Sequence, residues 1–143
     1  MDLYENLVLQ HLTKDGHVFV NPQYSIKNEL DQEWSCPDFV AIDVRNREVW
    51  VVEVSSAANP KSLLEKVRKR NDQWIDKLKR QLEKNPIFNG GWLEEGGGEE
   101  GWSVRIRIYI RSNANPLFAG MEKQIDIQVL DNLPPPWRWE RSF

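Results

Sequence analysis

Pro37-Asp-Phe-Val-Ala-Ile-Asp-Val44 and Arg47-Glu-Val-Trp-Val-Val-Glu-Val-Ser55 decide how this chain folds. Both segments are dense in β-branched and aromatic residues, which suit a pleated, buried surface, and only the polar pair Arg45-Asn46 separates them. The pattern predicts a hairpin of long, mostly buried strands. With Arg45 and Asn46 as the loop, Val44 faces Arg47 and Asp38 lies directly across from Glu53. A loop at Asn46-Arg47 would instead set Asp38 opposite Ser55. Neither dipeptide is a strong turn sequence, and both registers keep the two acids on one face.

Directly opposed residues have Cβ atoms about 4.5 to 5.5 Å apart. Two like charges that close in a buried sheet repel unless a cation lies between them. Carboxylates on adjacent strands suit Mg²⁺, which prefers hard oxygens, keeps several waters and takes one or two protein carboxylates. The structural alternative has Asp38 capping its strand in solvent and Glu53 paired with a neighbouring Arg or Lys. The position of Asp38 after a proline, and the way Glu53 interrupts an apolar run, favour the functional reading.

Working outward from the hairpin, Leu3, Leu7, Val8 and Leu12 recur at helical spacing over residues 2–13. Asp2 and Glu5 lie at the end where the helix dipole favours acids, and Gly16 closes the segment. Short strands are expected at 17–20 and 24–27, around an Asn21-Pro22 turn. After the hairpin, Asn59-Pro60 opens a helix running to about Lys84, with Leu63, Leu64, Val67, Trp74, Ile75, Leu78 and Leu82 on one face and Pro86 as its stop.

Residues 89–101 hold six glycines and four glutamates around Trp92 and Leu93, a composition that predicts a mobile acidic loop. Residues 102–111 then alternate strictly. Val104, Ile106, Ile108 and Ile110 fall on one side, Arg105, Arg107, Tyr109 and Arg111 on the other, as in a half-buried strand with a basic outer face. Ile125, Ile127 and Val129 mark a last strand, and the Pro/Trp-rich tail 134–143 is expected to be extended. Trp50 and Trp74 belong to buried faces, which leaves Trp92, Trp137 and Trp139 as candidates for exposed stacking contacts.

The 143 residues fit a single α/β domain, residues 1–143, with one real core. One cysteine, Cys36, and two distant histidines, His11 and His17, exclude an internal disulfide and a zinc site, and suggest a reducing, cytoplasmic setting. No run approaches the roughly 18 apolar residues of a membrane span, so neither export nor insertion is expected. The net charge of -3 argues against a globally basic nucleic-acid binder, yet residues 61–84 carry nine Lys or Arg against four acids. Lys66, Lys69, Arg70, Lys77 and Arg80 follow one another at spacings that keep them on a single helical stripe, with Gln73 beside it. Such a stripe is either a solvated face or a basic track. The first is the commoner case for a lone helix, and the second basic row at Arg105, Arg107 and Arg111 weakens it a little.

The order of helix, hairpin, acids and second helix, with Pro37-Asp38 and Glu53 in place, resembles the PD-(D/E)xK nuclease superfamily over residues 1–84. That resemblance implies a restriction-endonuclease-like fold, a central mixed β-sheet flanked by helices in the order α-β-β-β-α-β-β. It implies that Asp38, Glu53 and the Val54 carbonyl hold Mg²⁺ or Mn²⁺, with Glu5 on the first helix as a further acid near the metal. Gln73 would lie near the active site. The family's lysine, two positions after the second acid, is Ser55 here. Serine cannot supply the positive charge that activates water and offsets charge on the phosphate. Lys61 and Lys66 on the following helix, or Lys27 on a preceding strand, are the candidates to replace it. The implied activity is metal-dependent hydrolysis of phosphodiester bonds in nucleic acid, DNA ahead of RNA, along a surface formed by Lys66, Lys69, Arg70, Gln73, Lys77, Arg105 and Arg107. Cutting both strands of a duplex would call for a homodimer. The rival expectations are a nucleic-acid-binding module without catalysis and a protein-interaction module.

Overall fold

The structure is a computed structural model that describes residues 2–133. The extended tail expected at 134–143, with Trp137 and Trp139, lies outside the described residues. Helix α1 (Leu3–Thr13) leads into strand β1 (Val18–Pro22), a small hairpin of β2 (Ile26–Lys27) and β3 (Glu33–Ser35), then β4 (Phe39–Asp43), β5 (Glu48–Val54), helix α2 (Lys61–Leu82), β6 (Ser103–Ile110) and β7 (Ile125–Val129). Five strands form one mixed sheet in the order β1-β4-β5-β6-β7. β1, β4 and β5 pair antiparallel, and β6 and β7 join in parallel. A parallel partner for β5 needs a crossover, which α2 provides. The fold is therefore α/β, a five-stranded mixed sheet flanked by helices, and no helix among the described residues is long and apolar enough to cross a membrane.

The β4–β5 hairpin adopts the first of the two registers open to it: Phe39 pairs with Val52, Ala41 with Trp50 and Asp43 with Glu48. The turn itself decides between them. Asp43 Oδ1 accepts the backbone N–H groups of Arg45 and Asn46, both at 3.0 Å, and Arg47 turns back with φ of 55°. A short carboxylate that bonds its own backbone two and three residues on is what makes Asp a turn former.

Alternation divides the core into two layers. Under α2, Val40, Val49, Val51, Ile106, Ile108 and Ile110 meet Leu63, Val67, Trp74 and Leu78. Under α1, Phe39, Ala41, Trp50, Val52 and Tyr109 meet Val8 and Leu12. β6 keeps the expected alternation over most of its length, with Val104, Ile106 and Ile108 buried, Arg105 exposed and Arg107 half-buried and tied to Asp126 at 2.6 Å, and departs from it at its C-terminal end, where α1 covers Tyr109 completely.

Three other expectations change. Pro22 lies inside β1 and the turn falls at Gln23, with φ of 55°, since β1 is an edge strand where proline costs no ladder hydrogen bond. The strand expected at 24–27 shortens to Ile26–Lys27 and pairs with β3, not with the main sheet. Residues 89–101, expected to be a mobile loop, are built from short 3-10 turns around Trp92, which is 2% exposed and therefore unavailable as a stacking contact. Phe88 and Trp102 pack against each other, Phe88 stacks on Trp92, and Trp92 Nε1 donates to Glu83 Oε1 at 2.9 Å. Tertiary burial of one indole offsets the backbone entropy of its glycine neighbours.

Candidate active site

Asp38 immediately precedes β4 and Glu53 lies near the end of β5, so the hairpin register sets them across from each other on the face beneath α2. The Val54 N–H donates to Asp38 Oδ2 at 2.8 Å, which fixes that carboxylate against the end of β5. Glu53 is 6% exposed, and the Lys66 ammonium, one turn into α2 beyond Leu63, donates to its Oε1 at 3.0 Å. Lys66 reaches inward because Leu63 and Val67, buried on either side of it in sequence, hold this turn of α2 against the sheet. Of Lys27, Lys61 and Lys66, Lys66 is the one that reaches the pair of acids, through Glu53. Lys61 is exposed in the first turn of α2, and Lys27 belongs to β2, where its ammonium lies 3.7 Å from Asp31.

Burial, reinforced by the Asp38 carboxylate, pushes Glu53 up to about 7, against the opposing pull of Lys66. Desolvation first and Asp38 second raise Glu5, which places the first turn of α1 at the same end of the sheet. Glu5 is half-buried, and its backbone N–H is capped by Asp2 at 2.8 Å. It does not complete a three-acid cluster: among the described residues no three His, Cys, Asp or Glu side chains converge into a metal-binding group. Ser55 continues the sheet by donating its N–H to Tyr109 O at 2.9 Å, while its hydroxyl accepts from Ala57 N at 3.3 Å. It takes no part in the carboxylate–ammonium contact.

The donor set still fits a hard divalent cation. Two carboxylates and a strand-end carbonyl at Val54 are oxygen ligands of the type Mg²⁺ and Mn²⁺ prefer, and Mg²⁺ needs no third acid when waters fill its other positions. Burial first and the Asp38 carboxylate second disfavour the ionised form of Glu53, which a bound cation would favour.

The residues expected to form a nucleic-acid surface divide between the two faces. Lys66, Lys69, Arg70, Gln73 and Lys77 follow α2; Lys69 and Gln73 are exposed, and Arg70 and Lys77 each lie 5.1 Å from the Trp34 ring. Arg105 and Arg107 lie on the α1 face, stacked over Trp50 at 5.1 and 4.2 Å, and so do not join the α2 stripe. Alternation along β6 fixed their common side, but not which helix would cover it.

Sequence reasoning missed Cys36 and the polar cluster beneath α1. Cys36 is half-buried close to the acids, its thiol pushed up by desolvation and then by Glu33, Glu53 and Asp38. On the other face, His11 Nδ1 and the Tyr109 hydroxyl are hydrogen-bonded at 2.7 Å. The helical spacing of α1 signals that His11 shares a side with Val8 and Leu12, but nothing local pairs it with a residue 98 positions away. No protein-family model, curated protein or solved structure matches this chain.

Proposed function

We propose that the chain is a metal-dependent phosphodiesterase acting on nucleic acid, DNA first, on a restriction-endonuclease-like fold. The observation that carries this reading is the 3.0 Å contact between Lys66 and Glu53, across from Asp38. It puts an ammonium beside the acid pair in a chain that has Ser55 at the motif position. The helix, three antiparallel strands, crossover helix and two parallel strands of the main sheet also follow the order that the resemblance implies.

Asp38, Glu53 and the Val54 carbonyl would hold Mg²⁺ or Mn²⁺, which when bound neutralises the acid pair, acidifies water and polarises the scissile phosphate. The protein's own groups do the rest. The Val54 N–H holds one oxygen of Asp38 and leaves the other for ligation. Lys66 enters from α2 with its side chain about one-third exposed and its ammonium at Glu53, where it can offset charge developing on the phosphate oxygens. The buried end of β5 keeps bulk water from screening that interaction.

The test is cleavage of supercoiled, linear and single-stranded DNA and of RNA in Mg²⁺ or Mn²⁺, with Asp38→Ala and Glu53→Ala beside the wild type. Cutting that requires metal and disappears in both variants is the expected result. Nucleic-acid binding with no cutting in either metal would assign the chain to a non-catalytic binding module. Absence of salt-sensitive binding would point to a protein-interaction module.

A further inference from the structure

The β2–β3 hairpin leans on the C-terminal half of α2 and leaves a cleft of about 660 Å³ between them. Lys27, Lys77, Arg80 and Lys84 line it against two acids, Glu29 and Asp31. Its walls are held in place. The Gln81 side chain accepts from Lys27 N at 2.9 Å and donates to Tyr24 Oη at 2.9 Å and Ser25 O at 3.0 Å, so α2 grips the hairpin. At the hairpin tip, Asn28 Oδ1 accepts from both Leu30 N and Gln32 N at 3.0 Å, and Asp31 takes a left-handed φ of 59°.

Within this frame one carboxylate occupies a distinctive position. Glu29 Oε1 lies 3.2 Å from Arg80 Nη1 and 3.4 Å from Lys77 Nζ, although Glu29 is 63% exposed. A carboxylate oxygen shared by a guanidinium and an ammonium at an open cleft carries the charge, and makes the charge-assisted contacts, that one phosphate oxygen would in the same place. Lys84 makes no ion pair among the described residues. The cleft is therefore cationic overall even with Glu29 and Asp31 in it. It also continues the α2 stripe: Arg70 and Lys77 flank Trp34, and from Lys66 to Arg80 the helix rises about 21 Å.

We infer that this cleft is a backbone-phosphate seat for nucleic acid, remote from the Asp38–Glu53–Lys66 cluster, in which Glu29 holds the phosphate's place until the ligand displaces it. The inference rests on the proposed action on nucleic acid and locates where the strand continues beyond the cut. A separation of about 21 Å corresponds to roughly six nucleotides along one strand of a duplex, so only a longer ligand reaches both places. Exchange of a carboxylate for a phosphate between the same two cations preserves their partners. Weak anions are held off, while a polyanion anchored elsewhere on α2 is admitted.

The experiment measures binding of a labelled 24-nucleotide duplex by anisotropy in EDTA, over a salt series, for wild type, Glu29→Gln, Arg80→Gln, Lys84→Gln and the remote exposed acid Glu122→Gln. Glu29→Gln is expected to tighten binding about three- to tenfold. Arg80→Gln and Lys84→Gln are expected to weaken it and to lower the salt slope by about one each, as loss of a phosphate contact requires. Glu122→Gln is expected to match wild type. Equal binding by Glu29→Gln, Arg80→Gln and wild type overturns the seat, and so does a gain in Glu122→Gln equal to that in Glu29→Gln, which would be a general charge effect. Cleavage by the same preparations in Mg²⁺ separates the two readings. Wild type that cuts while binding ignores Glu29 and Arg80 sinks the seat alone. Wild type that responds at Glu29 and Arg80 but never cuts keeps the seat and sinks the phosphodiesterase. Wild type that fails to bind sinks both.

Discussion

Beneath α1, the Tyr109 hydroxyl meets His11, and Arg107 meets Asp126, each polar group held against an opposite or neutral partner in a partly buried contact. Beneath α2, Glu53 is paired with Lys66 while Asp38 is held by the Val54 N–H, so two carboxylates have one ammonium between them. The two clusters sit on opposite faces of one sheet, the first on β6 and β7, the second at β4 and β5, and among the described residues no buried side-chain nitrogen or oxygen lacks a hydrogen-bond partner. The difference is one of charge rather than of satisfaction. A balanced network specifies packing, whereas an unbalanced one is held ready for a further ligand.

The largest expected effect that would break this comparison is on activity. Lys66→Met should lower metal-dependent cleavage about 10²- to 10³-fold while leaving the fold intact, the scale of losing one preorganised charge donor. Turnover equal to wild type would show that Lys66 only neutralises Glu53.

The two faces should also respond to pH with opposite signs. Glu53 titrates near 7 in the folded chain against 4.5 when free, so its contribution is fully present below about 4.5 and is lost as pH rises through 7. The loss is at most roughly 3 kcal/mol without metal, and Glu53→Gln should remove it, as urea melts across pH 4 to 8 would reveal. Added Mg²⁺ should flatten the same slope in wild type, because it favours the ionised acid.

A smaller change is expected from Tyr109→Phe. Removing the hydroxyl leaves His11 without that partner and should cost about 1 to 2 kcal/mol, with cleavage unaltered. A loss of cleavage comparable to that of Lys66→Met would mean that the two faces are coupled. The smallest effect belongs to His11. Desolvation, then Lys14 and Arg107, hold its protonation below the ordinary 6.5, so its contribution is present above 6.5 and declines as pH falls. His11→Gln should remove that decline from the acid limb of the melts.

Much of the hairpin was legible because its determinants are local. Alternation in 39–43 and 48–54 sets the faces, and a turn-forming Asp43 settles the register that the loop dipeptides alone left open. The acid pair follows from that register. The Gly/Glu segment was misread for the opposite reason: its composition is that of an unfolded loop, and only the pocket formed by Phe88, Trp102 and the C-terminal end of α2 gives Trp92 somewhere to go.

By itself, then, the sequence determined the strand faces, the helical stripe on α2 and the placement of Asp38 and Glu53 on one face, since each depends on periodicity. The tertiary structure decided which lysine serves the acids, that Arg105 and Arg107 turn away from the α2 stripe, and that Glu29 spans Lys77 and Arg80. Each of those depends on how a helix docks across a sheet or on a hairpin meeting a helix some fifty residues away, and no local pattern encodes the angle or the depth of that docking.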